Sequence, residues 1–97
     1  MRNDISIYDT VDPWWDDDDG LFAPLRALVP ARMAYLKRAG LTVAGKAVLD
    51  VGCGGGFMSE PLAAAGGAVI GVDVAEGAVE AATARLAGRG LTADFRV

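Results

Sequence analysis

Residues 41–97 alternate short apolar runs with alanine-rich segments in which apolar positions recur at helical spacing. The continuous apolar run KAVLDV predicts a strand buried on both faces. In chain order, the pattern predicts a strand over 46–51, a helix over 57–65, a strand over 68–73, a helix over 76–87 and a strand beginning at 91. This order predicts an α/β fold, in which a Rossmann-like, doubly wound parallel sheet has right-handed connections.

Residues 1–40 have a different texture, because both tryptophans, both tyrosines and a run of aspartates fall within them. Pro30 is well placed as the first residue of a helix, PARMAYLKRAG, and a single helical turn is predicted over 24–28. We therefore divide the chain into an N-terminal helical lid segment, 1–40, and a partial cofactor-binding domain, 41–97. The two tryptophans are expected to pack in the core or in the lid.

Composition narrows the functional class. Five of the 13 acidic residues lie at Asp12 and at Asp16–Asp19, so the net charge of −4 is a local feature. No cluster of Lys and Arg offers the basic face that nucleic acid requires, so nucleic-acid binding is not expected. The most apolar run, Pro61–Val72, is too short and too rich in glycine to span a bilayer, and one cysteine suits a reducing compartment. We expect a soluble, cytoplasmic chain without a transmembrane segment.

The aspartate run resembles a calcium-binding loop only superficially. Asp17 and Asp19 have suitable offsets, but the first ligand position would be Trp15 and the closing position holds Arg26. We therefore predict a solvated turn over Asp16–Gly20 and no metal site.

The segment VLDVGCGGGF, residues 48–57, predicts a strand that runs into a glycine loop. Glycines at this position allow a ligand to approach the backbone and the start of the helix. The dinucleotide fingerprint requires a glycine where Phe57 stands, and a P-loop requires a lysine that the loop lacks. Asp50 would repel a pyrophosphate and attract an amine or a sulfonium. The loop therefore favours a nucleoside that carries positive charge.

Asp73 follows the next strand, 21 residues beyond Gly52. An acid at that point accepts hydrogen bonds from both ribose hydroxyls, in NAD and in S-adenosylmethionine alike. A helix-capping role for Asp73 is the alternative. We do not expect Cys53 to be a nucleophile, because the chain has no histidine to activate it, although its place before a helix could lower its pKa.

VLDVGCGGG followed by VIGVD resembles the class I S-adenosylmethionine-dependent methyltransferases, whose first motif is an acid followed by G-x-G-x-G. WWDDDDGLFAPLRALVPARMAYL is similar to the N-terminal segment of the ubiquinone-biosynthesis O-methyltransferases. The resemblance implies S-adenosylmethionine as cofactor and a guanidinium at Arg32 that pairs with the methionyl carboxylate. The cofactor-binding residues expected from the motifs and the resemblance together are Arg32, Asp50, Gly52, Cys53, Gly54, Gly56, Asp73 and Val74.

The resemblance also implies what the chain does. The expected reaction is methyl transfer to a hydroxyl oxygen of a small aromatic or quinone-precursor acceptor; the catalytic residue is not identified. Arg26 and Val29 replace a histidine and an asparagine typical of the ubiquinone enzymes, so another hydroxylated small molecule remains a competing acceptor. A non-catalytic nucleotide-binding fragment and an NAD-type oxidoreductase domain are the alternatives.

The resemblance also implies that the chain is incomplete. A full fold of this kind has seven strands, and this chain supplies about three. We expect an N-terminal fragment that is inactive by itself and touches a membrane peripherally only through the regions it lacks.

Overall fold

The computed structural model describes residues 6–15, 20 and 22–97. The aspartates at 16–19, predicted to form a turn, lie outside the described residues. The N-terminal segment contains two 3-10 turns, Ser6–Tyr8 and Asp12–Trp15, followed by helices α1, Ala23–Arg26, and α2, Val29–Arg38. The predicted proline falls in the first turn of α2, where its missing N–H costs no hydrogen bond.

The described part of the remaining chain forms one sheet of three parallel strands in the order β1, β2, β3. Its elements are β1, Ala47–Val51; α3, Ser59–Ala64; β2, Ala68–Val72; α4, Glu76–Gly88; and β3, Asp94–Arg96. In the register, Leu49 pairs with Ile70, and Ile70 pairs with Asp94. The predicted α/β, Rossmann-like topology is therefore confirmed.

One face of the sheet carries the helices, with α3 against β2 and α4 against β3. The other face is open to solvent within the described residues: Leu49 is 64% exposed and Val51 is 74% exposed. The prediction that KAVLDV is buried on both faces is therefore wrong for this chain. The apolar run is typical of a strand whose two faces are both covered, and the described residues cover only one face of β1.

A cluster of buried apolar residues lies between the N-terminal segment and α4. Its buried members are Trp14, Phe22, Phe57, Ala75, Ala78 and Ala81. The rings of Trp14 and Phe22 stack with their centroids 3.9 Å apart. The two regions that the sequence divides at residue 40 thus share one core. In α4, the small residues on the buried face let this core approach the helix closely, while Val79, predicted to lie on the buried stripe, is only half-buried.

In the described part of the chain, no helix combines the length and the apolar character needed to cross a bilayer.

Candidate functional site

The glycine loop begins directly after β1 and turns the chain back toward α3. Gly52 has a φ of +67°, which an L side chain rarely adopts. A Cβ built on Gly52 would meet nothing within 4 Å, so it would project into open space beside the loop. Gly52 therefore keeps the space beside the end of β1 open to a ligand.

Gly54 and Gly55 lack side chains for a second reason, which is the ring of Trp14. A Cβ on Gly54 would lie 2.7 Å from Cη2 of Trp14, and a Cβ on Gly55 would lie 2.7 Å from its Cβ. Trp14 is only 3% exposed, so it has no room to withdraw. The sequence interpretation explained the glycines by a ligand alone, whereas two of them make room for a buried tryptophan.

Gly56 faces a different neighbour. A Cβ there would lie 3.1 Å from Cβ of Ala82 and 3.3 Å from Cδ1 of Leu86. Gly56 therefore allows α4 to pack closely against the loop, and it does not line the cavity described below.

Three backbone N–H groups of the loop already have partners within the chain. The N–H of Cys53 donates to the carbonyl of Val72 at 2.9 Å, and that of Gly54 donates to Oδ2 of Asp73 at 2.9 Å. The N–H of Gly56 donates to the carbonyl of Cys53 at 3.0 Å. A phosphate-binding loop requires several such donors to point at the ligand. This geometry disfavours a diphosphate ligand and agrees with the negative charge of Asp50.

The two carboxylates predicted to bind the cofactor are both held in place. Oδ2 of Asp50 accepts a 2.6 Å hydrogen bond from Oγ of Ser59, which is fully buried at the start of α3. Oδ1 of Asp73 accepts a hydrogen bond from the N–H of Ala75 at 2.9 Å, next to its bond with Gly54. Ala75 precedes α4 and the helix start has no side-chain cap from its own N-cap residue, so Asp73 fixes the turn into α4 and does not fill the capping role considered from the sequence. Its oxygens keep further lone pairs that can accept from a ligand.

The pKa of the Cys53 thiol depends on burial and on the two nearby carboxylates. Burial, followed by the charges of Asp50 and Asp73, raises the pKa of Cys53 from 9.0 to about 12. The suggestion that the helix start lowers this pKa is therefore wrong, because burial and, after it, the two carboxylates disfavour the thiolate more than the local backbone favours it. Cys53 stays a neutral thiol, and the negative potential around it favours a cationic ligand.

An open cavity of about 360 Å³ joins these residues. Its polar and loop positions are Arg32, Asp50, Gly52, Cys53, Gly54 and Asp73, and Val74 lies beside them. Apolar walls come from both parts of the chain, with Tyr8, Trp14, Leu25, Phe57 and Met58 among them. The volume is within the range of small-molecule sites, which combine apolar walls with a few fixed polar groups. The cavity thus offers two carboxylates and one guanidinium to a ligand with charges of both signs.

No group of three or more metal-binding side chains occurs among the residues that the structure describes.

The sequence profile of a methyltransferase domain family matches residues 48–97, which run from β1 through the glycine loop to the end of the chain. This chain belongs to the methyltransferase domain family. The family uses S-adenosylmethionine, so the predicted cofactor is confirmed at the level of the family.

Curated relatives of this methyltransferase domain include ubiquinone biosynthesis O-methyltransferases. The enzyme of Bordetella parapertussis is 41% identical over 83 residues, which are 86% of this chain and 34% of the relative. The enzyme of Actinobacillus pleuropneumoniae serotype 5b is 42% identical over 83 residues, 86% of this chain and 35% of the relative. The chain thus spans about a third of the length of these relatives.

Solved structures of methyltransferases share the fold. Magnesium protoporphyrin IX methyltransferase from Synechocystis PCC 6803, solved with bound S-adenosylmethionine, is 28% identical with a TM-score of 0.69. That match covers 88% of this chain and 44% of the Synechocystis chain. A protein that converts a disulfide bond into a thioacetal group during echinomycin biosynthesis is 43% identical with a TM-score of 0.61, covering 70% of this chain and 28% of its own.

Seven of the eight residues predicted to bind the cofactor line one cavity of this methyltransferase domain, and Gly56 lies outside it. Sequence reasoning missed Tyr8, Leu25 and Met58, which also line the cavity. Met58 directly follows Phe57 at the end of the glycine loop, and this position could have predicted that Met58 lines the cavity. Nothing in the pattern around Tyr8 or Leu25 distinguishes them from other apolar residues of the N-terminal segment.

Proposed function

We propose that this chain forms the S-adenosylmethionine-binding portion of a methyltransferase that acts on a hydroxyl oxygen of a small aromatic or quinone-precursor acceptor. The observation that carries the proposal is the convergence of Arg32, Asp50 and Asp73 on the cavity beside Gly52. The names of the ubiquinone biosynthesis relatives support the acceptor class. The buried, unpaired thiol of Cys53 supports a reducing compartment, the cytoplasm.

The residues present fit this cofactor. Gly52 leaves space that any side chain would fill, and the donor set carries both signs of charge. When bound, S-adenosylmethionine supplies a methyl group activated by a sulfonium. Asp73 accepts hydrogen bonds from the ribose hydroxyls, and Arg32 pairs with the methionyl carboxylate. Asp50 attracts the positive end of the methionyl portion, and the fixed positions of these groups supply orientation.

The departures from the ubiquinone enzymes at Arg26 and Val29 leave the cofactor proposal unaffected. Both residues line a separate groove, next to Trp15 and Pro61, and neither lines the cavity with Arg32. Val29 packs against the shared apolar core. A valine fills this position better than an asparagine would, since burial of an amide requires hydrogen-bond partners.

The test is isothermal titration calorimetry of the chain with S-adenosylhomocysteine and with NAD. The proposal expects saturable binding of S-adenosylhomocysteine and no binding of NAD. Arg32→Gln should weaken binding roughly tenfold, the factor expected when a charge-assisted pair is lost. Arg38→Gln is the matched control, because Arg38 is exposed on the same helix and does not line the cavity. Preferential binding of NAD, or equal effects of the two variants, would overturn the proposal.

A further inference from the structure

Trp15 makes a direct hydrogen bond to the glycine loop from 40 residues away in the sequence. Its Nε1–H donates to the carbonyl oxygen of Gly55 at 2.6 Å, in a half-buried position. A buried carbonyl that loses its donor is costly, because water does not readily replace it. The bond therefore fixes the loop from the side of the N-terminal segment.

Two side chains contact the ring of Trp15. The edge of Phe57 meets its ring at 4.8 Å between centroids, with the planes at 85°. The guanidinium of Arg85, on α4, lies 4.2 Å from the ring centroid, a cation–π contact. Nε of Arg85 in turn donates to Oε2 of Glu60, on α3, at 2.7 Å. A connected series of contacts thus runs from Glu60 through Arg85 and Trp15 to Gly55.

This series ends next to the groups that line the cavity, although Trp15 does not line it. Gly55 directly follows Gly54, whose N–H is bonded to Asp73. A displacement of Gly55 therefore moves Gly54 and the carboxylate of Asp73 with it. Binding sites require their contact groups to stay within about 0.5 Å of the productive position, so such a displacement weakens binding.

We propose that Trp15 is a positioning residue for the cofactor loop, held in place by the Arg85–Glu60 pair. The inference rests on the proposed function, because the affinity that Trp15 sets is the affinity for S-adenosylmethionine and its product. The simpler alternative is that Trp15 only adds apolar packing. In that case loss of its N–H would leave the ligand affinity unchanged, and only loss of the ring would lower stability.

The experiment compares the wild-type chain with Trp15→Phe, which keeps an aromatic ring and removes the N–H donor. Calorimetry under conditions where both are folded should show that Trp15→Phe raises the Kd for S-adenosylhomocysteine roughly tenfold. Thr83→Val is the matched control, because it removes a hydroxyl that donates to the carbonyl of Val79 at 2.8 Å on the exposed side of α4. Its Kd should equal that of the wild type.

A second variant keeps the inference testable if Trp15→Phe does not fold. Arg85→Gln removes the cation over Trp15, and we expect it to raise the Kd about threefold, with recovery in Arg85→Lys, which keeps the charge. The amide resonance of Gly54 should shift in Arg85→Gln without ligand, and not in Thr83→Val. An unchanged Kd in folded Trp15→Phe or in Arg85→Gln would overturn the inference and leave the proposed function standing. Absence of binding by the wild-type chain would instead overturn the proposed function.

Discussion

Oδ1 of Asp9 accepts a 2.7 Å hydrogen bond from the backbone N–H of Gly77, 68 residues later in the chain. Gly77 lies in the first turn of α4, where the N–H groups have no partner within the helix. The chain passes so close that a Cβ on Gly77 would lie 2.5 Å from the backbone nitrogen of Thr10. The N-terminal segment therefore crosses the first turn of α4 and supplies a cap that the local sequence lacks.

Replacement of Asp9 by alanine should destabilise the chain through this cap. Loss of a capping carboxylate costs about 1 kcal/mol, because an N–H at the helix start loses its partner and the helix dipole loses a favourable charge. Urea unfolding at neutral pH measures this change in the free energy of unfolding. Asp12→Ala is the control, since Asp12 is an exposed aspartate of the same segment. Equal effects of the two substitutions would show that the hydrogen bond to Gly77 contributes nothing.

Gly55→Ala tests the packing of Trp14 on the loop. The added methyl would lie within 2.8 Å of three Trp14 atoms, and the buried ring has no room to move away. Overpacking of this kind typically costs about 1–3 kcal/mol, and we expect the upper part of that range. The measurement is the free energy of unfolding in urea.

Gly88→Ala serves as the control for this substitution. Gly88 is the last residue of α4, and a Cβ there meets nothing within 4 Å. Alanine is the better helix former, so stability should stay the same or rise by up to about 1 kcal/mol. A Gly55→Ala variant as stable as Gly88→Ala would contradict the stacking of Trp14 on the loop.

Local patterns were enough to predict the strands and helices of residues 41–97. Periodicity and glycine boundaries are properties of neighbouring residues, and parallel strands place Asp50 and Asp73 at one edge of the sheet by topology alone. For that reason the residues of the cavity floor could be named in advance. The exposure of Leu49 and Val51 could not be predicted. An apolar strand indicates that both of its faces are normally covered, but it does not indicate whether this chain supplies the covering residues.

The missing part of the prediction concerns contacts between distant segments. Nothing near Asp9 indicates a helix cap 68 residues away, and nothing near Glu60 indicates a partner at Arg85. Gly55 illustrates the same limit. The sequence explains this glycine by the approach of a ligand to the loop, whereas the fold shows that a side chain there would clash with Trp14. Sequence patterns thus predicted the groups that line the cavity better than the groups that support them.

A double-mutant cycle on Glu60 and Arg85 should show a favourable coupling. The Glu60 side chain is 16% exposed and that of Arg85 is 34% exposed, so solvent screens this pair only partly. We expect a coupling of about 1 kcal/mol from Glu60→Gln, Arg85→Gln and the double variant, measured by urea unfolding. The Asp94–Arg96 pair on β3 is the comparison, because both side chains are more than half exposed and should show no measurable coupling. Equal couplings at the two pairs would contradict the role assigned to burial.

The buried thiol of Cys53 makes stability depend on alkaline pH. Its pKa is raised from 9.0 to about 12 in the folded chain, first by burial and then by Asp50 and Asp73. The folded state therefore retains a proton that the unfolded state releases above pH 9, so the stabilisation is complete below pH 9 and is lost as the pH rises toward 12. Within that window the free energy of unfolding should fall by ~1 kcal/mol per pH unit more than in a chain without the thiol.

Cys53→Ala is the comparison chain without the thiol. Urea unfolding at pH 8, 9.5 and 10.5 should show a wild-type stability that falls more steeply than that of Cys53→Ala, since every other titrating group is common to both. At pH 8 the native thiol should also resist iodoacetamide until urea exposes it, because a thiol held neutral is a poor nucleophile. Parallel stability curves, or alkylation of the folded chain at the rate of a free thiol, would contradict the raised pKa of Cys53, which burial causes first and the carboxylates second. Burial is the larger cause of the shift, so the measurement tests first whether the Cys53 thiol is desolvated, and the carboxylates that the proposed cationic ligand requires add to the effect.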